Sequence, residues 1–392
     1  MKLLLLSDSY PPDIKSGAFL IQTLAEYLSA KGYQVSVITF SKNLIKNYTE
    51  ETIKNVKVIR IRIPSFKYNL KKRAFVEISY SFKIISYLKR NYRDDIDGII
   101  FYSPTIFFGH AVQYIKKNFS VKSYLIVRDL FPDWAVSIGI LKKGLIYNFF
   151  KFFEKKMMIS ADFIGVEAKA DIEHCKNIIG DERVIIEHLL NWGPPIDSKQ
   201  AVTSEYVDRE KFNLIYGGNL GIAQNFISFL EYLKLVEDEN FRLIIVGDGN
   251  EKEKIKNFIA DNNMDILILP SMPRDDYLSI IKFCDAGLVV IDKKIKANNY
   301  PAKSFDYMSY EKPIFAYLNK ENEFGNMISE FNFGYYVCSG GMSFEESFKK
   351  MIHNKQDRIL KGKNAKLVLE SHFSVKNAGE RILKKFNINN IL

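Results

Sequence analysis

A short apolar run, a glycine-containing turn and an amphipathic segment follow one another at two places in this chain of 392 residues. The first set starts at Lys2 to Ser7, passes Gly17 and ends at Gly32. The second starts at Phe212 to Tyr216 and passes the turn Gly217 to Gly221. A buried strand, a turn and a helix in this order open a doubly wound parallel sheet. Two such openings predict two α/β domains.

Further apolar runs alternate with helical patterns after each opening. Predicted strands cover 2–7, 34–39, 56–61, 98–102, 123–127, 162–166, 184–187, 212–216, 241–246, 266–269, 286–291, 313–316 and 334–337, and the main predicted helices cover 18–31, 74–92, 145–159, 222–236 and 374–386. Chain breakers around Asn191 to Pro195 mark a linker. We therefore expect Rossmann-like domains over 1–195 and 196–373 that face each other across a cleft. A last helix in 374–392 should dock on the first domain.

Charge divides the chain. Residues 1–198 hold 29 Lys and Arg against 20 Asp and Glu, and residues 199–392 hold 27 against 26, which together give the net charge of +10. The basic half either carries an ordinary lysine-rich surface or faces an anionic partner such as a membrane or a lipid diphosphate. No nucleic-acid partner is expected.

Cellular location is predicted from what the sequence lacks. Its three cysteines are widely spaced, which fits no metal pattern and favours a reducing compartment. The first apolar run is too short for a signal peptide, and no window reaches the roughly 18 apolar residues of a membrane span. We expect a cytoplasmic protein.

A polar loop that runs into a helix gives the most specific binding prediction. Pro301 suits the first helical position, where its missing N–H removes a donor that would be unpaired anyway. The free amides of that turn favour an anion. Lys303 is unfavourable beside the positive end of the helix dipole, so it indicates an anionic ligand unless it is simply solvated. Asp306, one turn further on, suits sugar hydroxyls. The stretch predicts a site for the pyrophosphate of a nucleotide sugar.

Polar residues also follow the predicted strand 123–127. In an open α/β sheet this position borders the ligand crevice. Arg128, Asp129 and Trp134 would there supply charge, proton acceptance and a sugar-stacking face. They would otherwise form an ion pair and packed core.

Two other motifs are open to two interpretations. The aromatic helix 145–159, flanked by lysines such as Lys142 and Lys143, either lies on an anionic bilayer or packs between the sheet and solvent. Asp95 and Asp97 imitate the carboxylate pair that holds a divalent ion in metal-dependent glycosyltransferases, but a short acidic motif is weak support for a metal site. A solvated loop is the preferred interpretation.

With these residues placed, the chain resembles the GT-B retaining glycosyltransferases of family 4. It is most similar to the bacterial surface-polysaccharide branch that includes L-fucosamine transferases. The resemblance covers nearly the whole chain and rests on residues 7–12 with Gly17, 128–133, 218–224, 246–249 and 301–313. It implies metal-independent transfer of a hexosyl or N-acetylhexosaminyl group, with retention and without a cofactor. The expected donor is a nucleotide sugar, most simply UDP-linked, and the acceptor a lipid-linked saccharide in O-antigen or capsule synthesis. The expected place is the inner face of the cell membrane, as a peripheral protein.

The resemblance also assigns site residues. The expected catalytic residues are Lys303, Asp129 and Arg128, and the expected donor-binding residues are Gly17, Gly218, Asn219, Gly221, Gln224, Gly249, Arg274, Asn298, Pro301 and Asp306. Two family glutamates correspond here to Asn298 and Asp306, and the turn after Gly221 lacks the basic pair that many relatives carry. His110 is the one candidate for a family histidine and is interpreted as structural. A sugar-nucleotide epimerase and a non-catalytic nucleotide-sugar binding protein are the competing functions.

Overall fold

The computed structural model describes residues 1–13, 15–65, 70–137, 139–193, 205–295, 300–338 and 342–386. The chain forms two compact units, one from Met1–Asn191 together with the chain from Val375 onward, and the other from Trp192–Ser374. Each contains its own sheet, parallel apart from β3 at the edge of the first, and its own hydrophobic core. The prediction of two Rossmann-like sheets is confirmed.

The first unit is built around an eight-stranded sheet. Its elements are β1 (Lys2–Leu6), α1 (Ser16–Ala30), β2 (Gln34–Ser41), β3 (Tyr48–Ile53), β4 (Val56–Arg62), α2 (Leu70–Ile78), α3 (Tyr80–Asn91), β5 (Gly98–Tyr102), α4 (Gly109–Phe119), β6 (Lys122–Val127), α5 (Asp133–Ser137), α6 (Leu145–Ser160), β7 (Phe163–Val166), α7 (Ala170–Ile179) and β8 (Ile185–His188). The strand order is β3-β4-β2-β1-β5-β6-β7-β8, and β3 is antiparallel to its neighbour. Residues 3–6 of β1 and all of β5 are buried and lack charged side chains because helices cover both faces of the sheet.

The second unit is built around a six-stranded parallel sheet. Its elements are β9 (Phe212–Gly217), α8 (Phe226–Leu233), β10 (Phe241–Val246), α9 (Lys252–Asp261), β11 (Ile266–Leu269), α10 (Arg274–Phe283), β12 (Ala286–Val290), α11 (Ala302–Ser309), β13 (Ile314–Tyr317), α12 (Glu323–Glu330), β14 (Gly334–Val337), α13 (Met342–His353) and α14 (Lys355–His372). The strand order is β11-β10-β9-β12-β13-β14.

The last helix, α15 (Val375–Phe386), belongs to the first unit. Its apolar face is buried, and Gly379 packs so closely on Tyr27 of α1 that an added Cβ would lie 2.5 Å from the ring. The Lys385 ammonium pairs with Glu187 at 3.3 Å. The chain thus returns to its first sheet after completing the second.

Three local predictions are wrong. The predicted helix 74–92 is two helices, because the Ser79 amide and hydroxyl both donate to the carbonyl oxygen of Val76, at 3.1 and 2.6 Å, and turn the chain. Strand β3 was not predicted, since its polar sequence pairs at a sheet edge with one face in solvent. Helix α8 begins at Phe226 rather than Ile222.

Both sheets have one place where the strand order reverses. The chain moves outward from β1 through β2 and then returns to β5 on the other side of β1. It moves from β9 through β10 to β11 and then returns to β12 beside β9. Ligands of open α/β sheets bind at the carboxyl ends of the strands that flank such a reversal. Ligand sites are therefore favoured after β1 and β5 in the first unit and after β9 and β12 in the second.

Candidate functional site

In the second unit, the turn after β9 interlocks with the turn after β10 through backbone atoms. The Gly218 amide donates to the Val246 carbonyl at 2.9 Å, and the Leu220 amide donates to the Asp248 carbonyl at 2.9 Å. Gly218 has a φ of +132°, which only glycine adopts readily. A Cβ on Gly249 would lie 2.2 Å from the Leu220 carbonyl oxygen. The glycines are needed because two backbones touch here.

The side chains of this turn bond to one another. Gln224 Oε1 accepts from the Gly221 amide at 3.1 Å and from Asn219 Nδ2 at 3.3 Å. The expectation that the turn leads directly into a helix is wrong, because Asn225, with a φ of +44°, separates it from α8. Any anion at this turn would meet loop amides rather than a helix terminus.

The helix after β12 brings a cation to the same turn. Pro301 is the N-cap of α11 and not its first helical residue, so the predicted helix start is wrong by one position. Lys303 lies in the first turn, with its Nζ 3.7 Å from the ring centroid of Tyr216 and 3.1 Å from the position of a Cβ on Gly218. Among the described residues, its amine has no hydrogen-bond acceptor and no carboxylate partner. Burial lowers the pKa of Lys303 to about 7.

The structure pairs two of the predicted donor-binding residues with each other. The Arg274 guanidinium donates from Nη1 to Asp306 Oδ2 at 3.1 Å and from Nη2 to Oδ1 at 2.5 Å. The carboxylate is buried while the guanidinium is 37% exposed. Burial raises the pKa of Asp306, and Arg274 opposes that shift. The pair fixes Asp306 in place and leaves one face of Arg274 in solvent. Asn298 lies outside the described residues.

In the first unit, Arg128 follows β6 as predicted and meets a partner that was not predicted. Its Nε lies 3.7 Å from Oε2 of Glu167, which follows β7. Glu167 also accepts from the side chain of Asn191, beyond β8. Burial raises the pKa of Glu167 to about 7, while Arg128 lowers it. Nη1 of Arg128 is buried without an acceptor in the described part of the chain, so this group retains a donor for a ligand.

Other residues near this cluster have varied surroundings. Asp129 is exposed, and Trp134 is 40% exposed with its ring 6.2 Å from that of Phe131. Gly17 packs against Tyr102, whose ring atom Cε1 would lie 2.8 Å from an added Cβ, so packing already accounts for this glycine. Asp8, beyond β1, is buried and accepts from Lys15 at 3.2 Å.

Sequence reasoning missed Asp8, Glu167 and Asn191. Each follows the carboxyl end of a strand, the same signal that singled out Arg128. Asp95 and Asp97 lie at the opposite edge of the sheet, where Asp97 accepts from the Lys2 amide at 2.6 Å and Asp95 pairs with the Lys2 ammonium. No group of three or more His, Cys, Asp or Glu side chains among the described residues is arranged to hold a metal ion.

Helix α6 carries a surface distinct from these sites. Its exposed apolar residues are Leu145, Ile146, Phe149 and Phe152, all between 43% and 89% exposed. Lys142, Lys143 and Lys155 are exposed beside them. Lys151 instead points inward and pairs with Asp133 at 2.9 Å. Within the residues that the structure describes, a helix long and apolar enough to cross a bilayer is not found.

Comparison with known proteins places this geometry in a fold class. The chain superposes on sucrose-phosphate synthase of Thermosynechococcus elongatus with a TM-score of 0.72 over 99% of the chain and 98% of that protein, at 12% identity. It matches the lipopolysaccharide-biosynthesis glycosyltransferase WaaG with a TM-score of 0.67 over 97% and 99%, at 14% identity. It matches Anabaena HepE in complex with UDP and glucose with a TM-score of 0.68 over 99% and 100%, at 13% identity. The fold is that of the GT-B glycosyltransferases.

Two curated sequences are similar to the chain. The putative colanic acid biosynthesis glycosyl transferase WcaI of Escherichia coli is 23% identical over 99% of this chain and 98% of its own length. The probable glycosyltransferase WbjE of Pseudomonas aeruginosa is 25% identical, and that match spans 55% of each protein. No protein-family model matches the chain.

Proposed function

We propose that this protein is a glycosyltransferase of surface-polysaccharide synthesis that moves a sugar from a UDP-linked donor to a lipid-linked saccharide. The observation that carries the proposal is the amine of Lys303, which lies over the glycine turn at the β9–β12 reversal and has no ion-pair partner among the residues that the structure describes. Similarity to WcaI and WbjE supports the reaction class. The complex of HepE with UDP and glucose supports uridine as the nucleoside of the donor. The product would belong to an O-antigen or capsule.

Charge explains why such a site would promote transfer. Breaking the bond between the sugar and the phosphate leaves a nucleoside diphosphate with additional negative charge. Lys303 and the first-turn amides of α11 would stabilise that charge in a partly buried site, where fixed dipoles act more strongly than in water. A cation that belongs to the protein would do the work of a divalent ion, so we propose a metal-independent reaction.

The remaining donor contacts would come from neighbouring residues. Asp306, held by Arg274, keeps lone pairs for ribose hydroxyls, and the exposed side of Arg274 would face phosphate. Asn219, Gly221 and Gln224 would exchange their mutual bonds for bonds to the donor. Asp306→Asn should reduce the preference for UDP over 2′-deoxy-UDP. If the variant keeps the full preference in calorimetry, Asp306 does not contact the ribose.

The acceptor would bind the first unit. The exposed carboxylate of Asp129 would take the proton of the attacking hydroxyl, and Arg128, oriented by Glu167, would hold the acceptor through its free Nη1. We propose transfer with retention, as in the family that the sequence resembles. Nuclear magnetic resonance of the product's anomeric proton would decide this, and an inverted linkage would contradict it.

The exposed apolar and basic surface of α6 supports peripheral attachment to an anionic membrane, at the inner face where a lipid-linked acceptor is met. Phe149 and Phe152 would insert at the interface, and each nearby lysine would contribute about 1 kcal/mol. Sedimentation with vesicles tests this. Binding should require anionic lipid, fall with salt and weaken in Lys142→Glu/Lys143→Glu more than in the control Lys254→Glu/Lys256→Glu on α9. Equal binding to neutral vesicles would contradict it.

A thermal-shift screen with UDP-, GDP- and dTDP-sugars tests the proposal as a whole, followed by transfer to lipid-linked saccharides with and without chelator. Stabilisation by one nucleotide sugar and chelator-resistant transfer are expected. Conversion of the donor without any acceptor would identify an epimerase. Binding with neither hydrolysis nor transfer to any lipid-linked saccharide would identify a non-catalytic binding protein.

A further inference from the structure

A cavity lies on the first unit, away from Arg128 and Glu167. It has a volume of about 670 Å³ and opens beyond the carboxyl ends of β2 and β4. One side is lined by Arg62, the last residue of β4, and by Lys42, which directly follows β2. Helix α3 lines the other with Lys83, Ser86, Tyr87 and Arg90, which share one helix face by their spacing of three and four residues.

The lining of this cavity is strongly cationic. It contains Lys42, Arg62, Lys83 and Arg90, and no Asp or Glu is among its described lining residues. The nearby carboxylate of Glu50 is already engaged by Tyr87 at 2.5 Å and Lys57 at 3.2 Å. Like charges gathered around one cavity repel one another, and an anion bound among them relieves that repulsion. The cavity therefore favours a ligand with more than one negative charge.

Two of these cations are available to such a ligand. Within the described ranges of the chain, neither the Lys83 ammonium nor the Arg90 guanidinium has a hydrogen-bond or ion-pair partner. The Arg62 guanidinium uses Nη1 on the Ile45 carbonyl at 3.2 Å and keeps its other donors. The aromatic part of the cavity lining is held in place by two contacts. The Tyr48 hydroxyl donates to Asn91 Oδ1 at 3.1 Å, and the Tyr48 ring packs edge-on against Tyr87. A fixed lining with N–H donors available on Lys83, Arg90 and Arg62 suits the oxygens of a phosphate.

The cavity lies at a distance from Arg128 that is compatible with a role in the proposed reaction. It opens at the same sheet edge as Arg128 and lies four strands away, β4-β2-β1-β5-β6, or roughly 20 Å at the usual strand spacing. That separation leaves room for a saccharide between the two. Phe82, which directly precedes Lys83 on α3, is 61% exposed.

We propose that this cavity binds a phosphate or diphosphate group, and that the group belongs to the lipid-linked acceptor. The second half of the proposal rests on the proposed function, since it makes the cavity the anchor for the end of the acceptor that does not react. The sugar to be extended would then reach toward Arg128 and Asp129.

Calorimetry with the full chain tests this. The probes are inorganic diphosphate and farnesyl diphosphate, titrated with UDP present in excess so that the donor site is filled. Lys83→Gln/Arg90→Gln removes the two cations that have no partner among the described residues. Lys89→Gln/Lys117→Gln, on α3 and α4, removes the same charge from exposed positions outside the cavity and serves as the control.

The cavity variant should bind both probes on the order of tenfold more weakly, whereas the control should stay within about twofold of the wild type. UDP affinity should be unchanged in both. Tighter binding of farnesyl than of inorganic diphosphate supports the lipid-linked acceptor, and equal binding overturns that half in favour of a soluble phosphate ligand. Equal losses in the two variants, or no probe binding by the wild type, overturn the site. If the wild type binds no UDP, the proposed function fails, while the dependence on Lys83 and Arg90 still decides the cavity.

Discussion

The turn after β9 and the segment after β6 occupy comparable places, since each follows a parallel strand at its carboxyl end. In the second unit, the cation at this edge, Lys303, rests on an aromatic ring without a carboxylate among the described residues. In the first unit, the cation Arg128 is 15% exposed and lies beside the buried Glu167. The same architecture thus supplies one cation without a carboxylate partner in the described part of the chain and one cation that has such a partner.

The difference between these two cations indicates which ligand charge each strand end is suited to accept. A cation whose pKa has fallen to about 7 gains most from an incoming anion, because the anion restores its charge. A buried ion pair gains little from another charge but keeps a hydrogen-bond donor fixed in direction. The end of β9 is thereby suited to an anionic group such as a diphosphate, and the end of β6 to a neutral hydroxyl-bearing ligand.

Breaking the ion pair should have the largest effect. At a pH well above the Glu167 pKa of about 7, Arg128→Met leaves a buried carboxylate without its cation, which costs at most about 3–5 kcal/mol of the free energy of unfolding. The loss should be smaller at low pH, because a protonated Glu167 carries no charge to desolvate. Urea denaturation followed by circular dichroism measures it.

Two further variants control that experiment. Lys116→Met breaks the more exposed pair with Asp162, and should cost no more than about 1 kcal/mol. Arg128→Met/Glu167→Gln removes both charges and should recover most of the stability. An equal cost for the Lys116 and Arg128 variants would show that the Arg128 pair is not desolvated.

Removing the charge of Lys303 should weaken ligand binding and leave the stability of the fold unchanged. Lys303→Met should weaken UDP-glucose binding by about 1.5–3 kcal/mol, the range for hydrogen bonds to charged groups, with no loss of stability. Lys293 is the matched control, because its Nζ also lies over a tyrosine ring, that of Tyr317 at 4.1 Å. Calorimetry should show unchanged affinity for Lys293→Met. Equal losses in both variants would remove the special role of Lys303.

The interlocked turns should respond to a single methyl group. Gly249→Ala places a Cβ 2.2 Å from the Leu220 carbonyl oxygen, which must move at a cost of about 1–3 kcal/mol. Gly144→Ala is the control, since an added Cβ there meets nothing within 4 Å. Differential scanning fluorimetry should show a lower Tm for the first variant alone. An unchanged Tm would mean that the two turns are not locked together.

The strand pattern of this fold could be read from the sequence because parallel strands buried on both faces appear as short apolar runs. The edge strand β3 could not, since its residues are exposed or half-buried and its sequence is polar. The Ser79 break was also hidden, because a serine hydroxyl that bonds to a carbonyl three residues earlier leaves the apolar spacing unchanged.

The candidate site was predictable only in part. Lys303 and Arg128 were found from their positions after strands or at a helix start. Their partners are distant in sequence: Arg128 meets Glu167 39 positions later, and Arg274 meets Asp306 32 positions later. Only the sheet order brings these residues together. The Arg274–Asp306 pair also shows that two residues predicted to bind the donor separately hold each other.

The measurement that tests the central claim most directly is the pH dependence of UDP-glucose affinity, since the donor's diphosphate does not titrate in this range. The Lys303 amine is charged below its pKa of about 7 and neutral above it, so affinity should fall as pH rises through that value. Between about pH 6 and about pH 8.5 the wild type should lose on the order of tenfold, and Lys303→Met should show no such slope. A flat wild-type profile, or the same slope in both proteins, would contradict the assignment of this amine to the donor diphosphate.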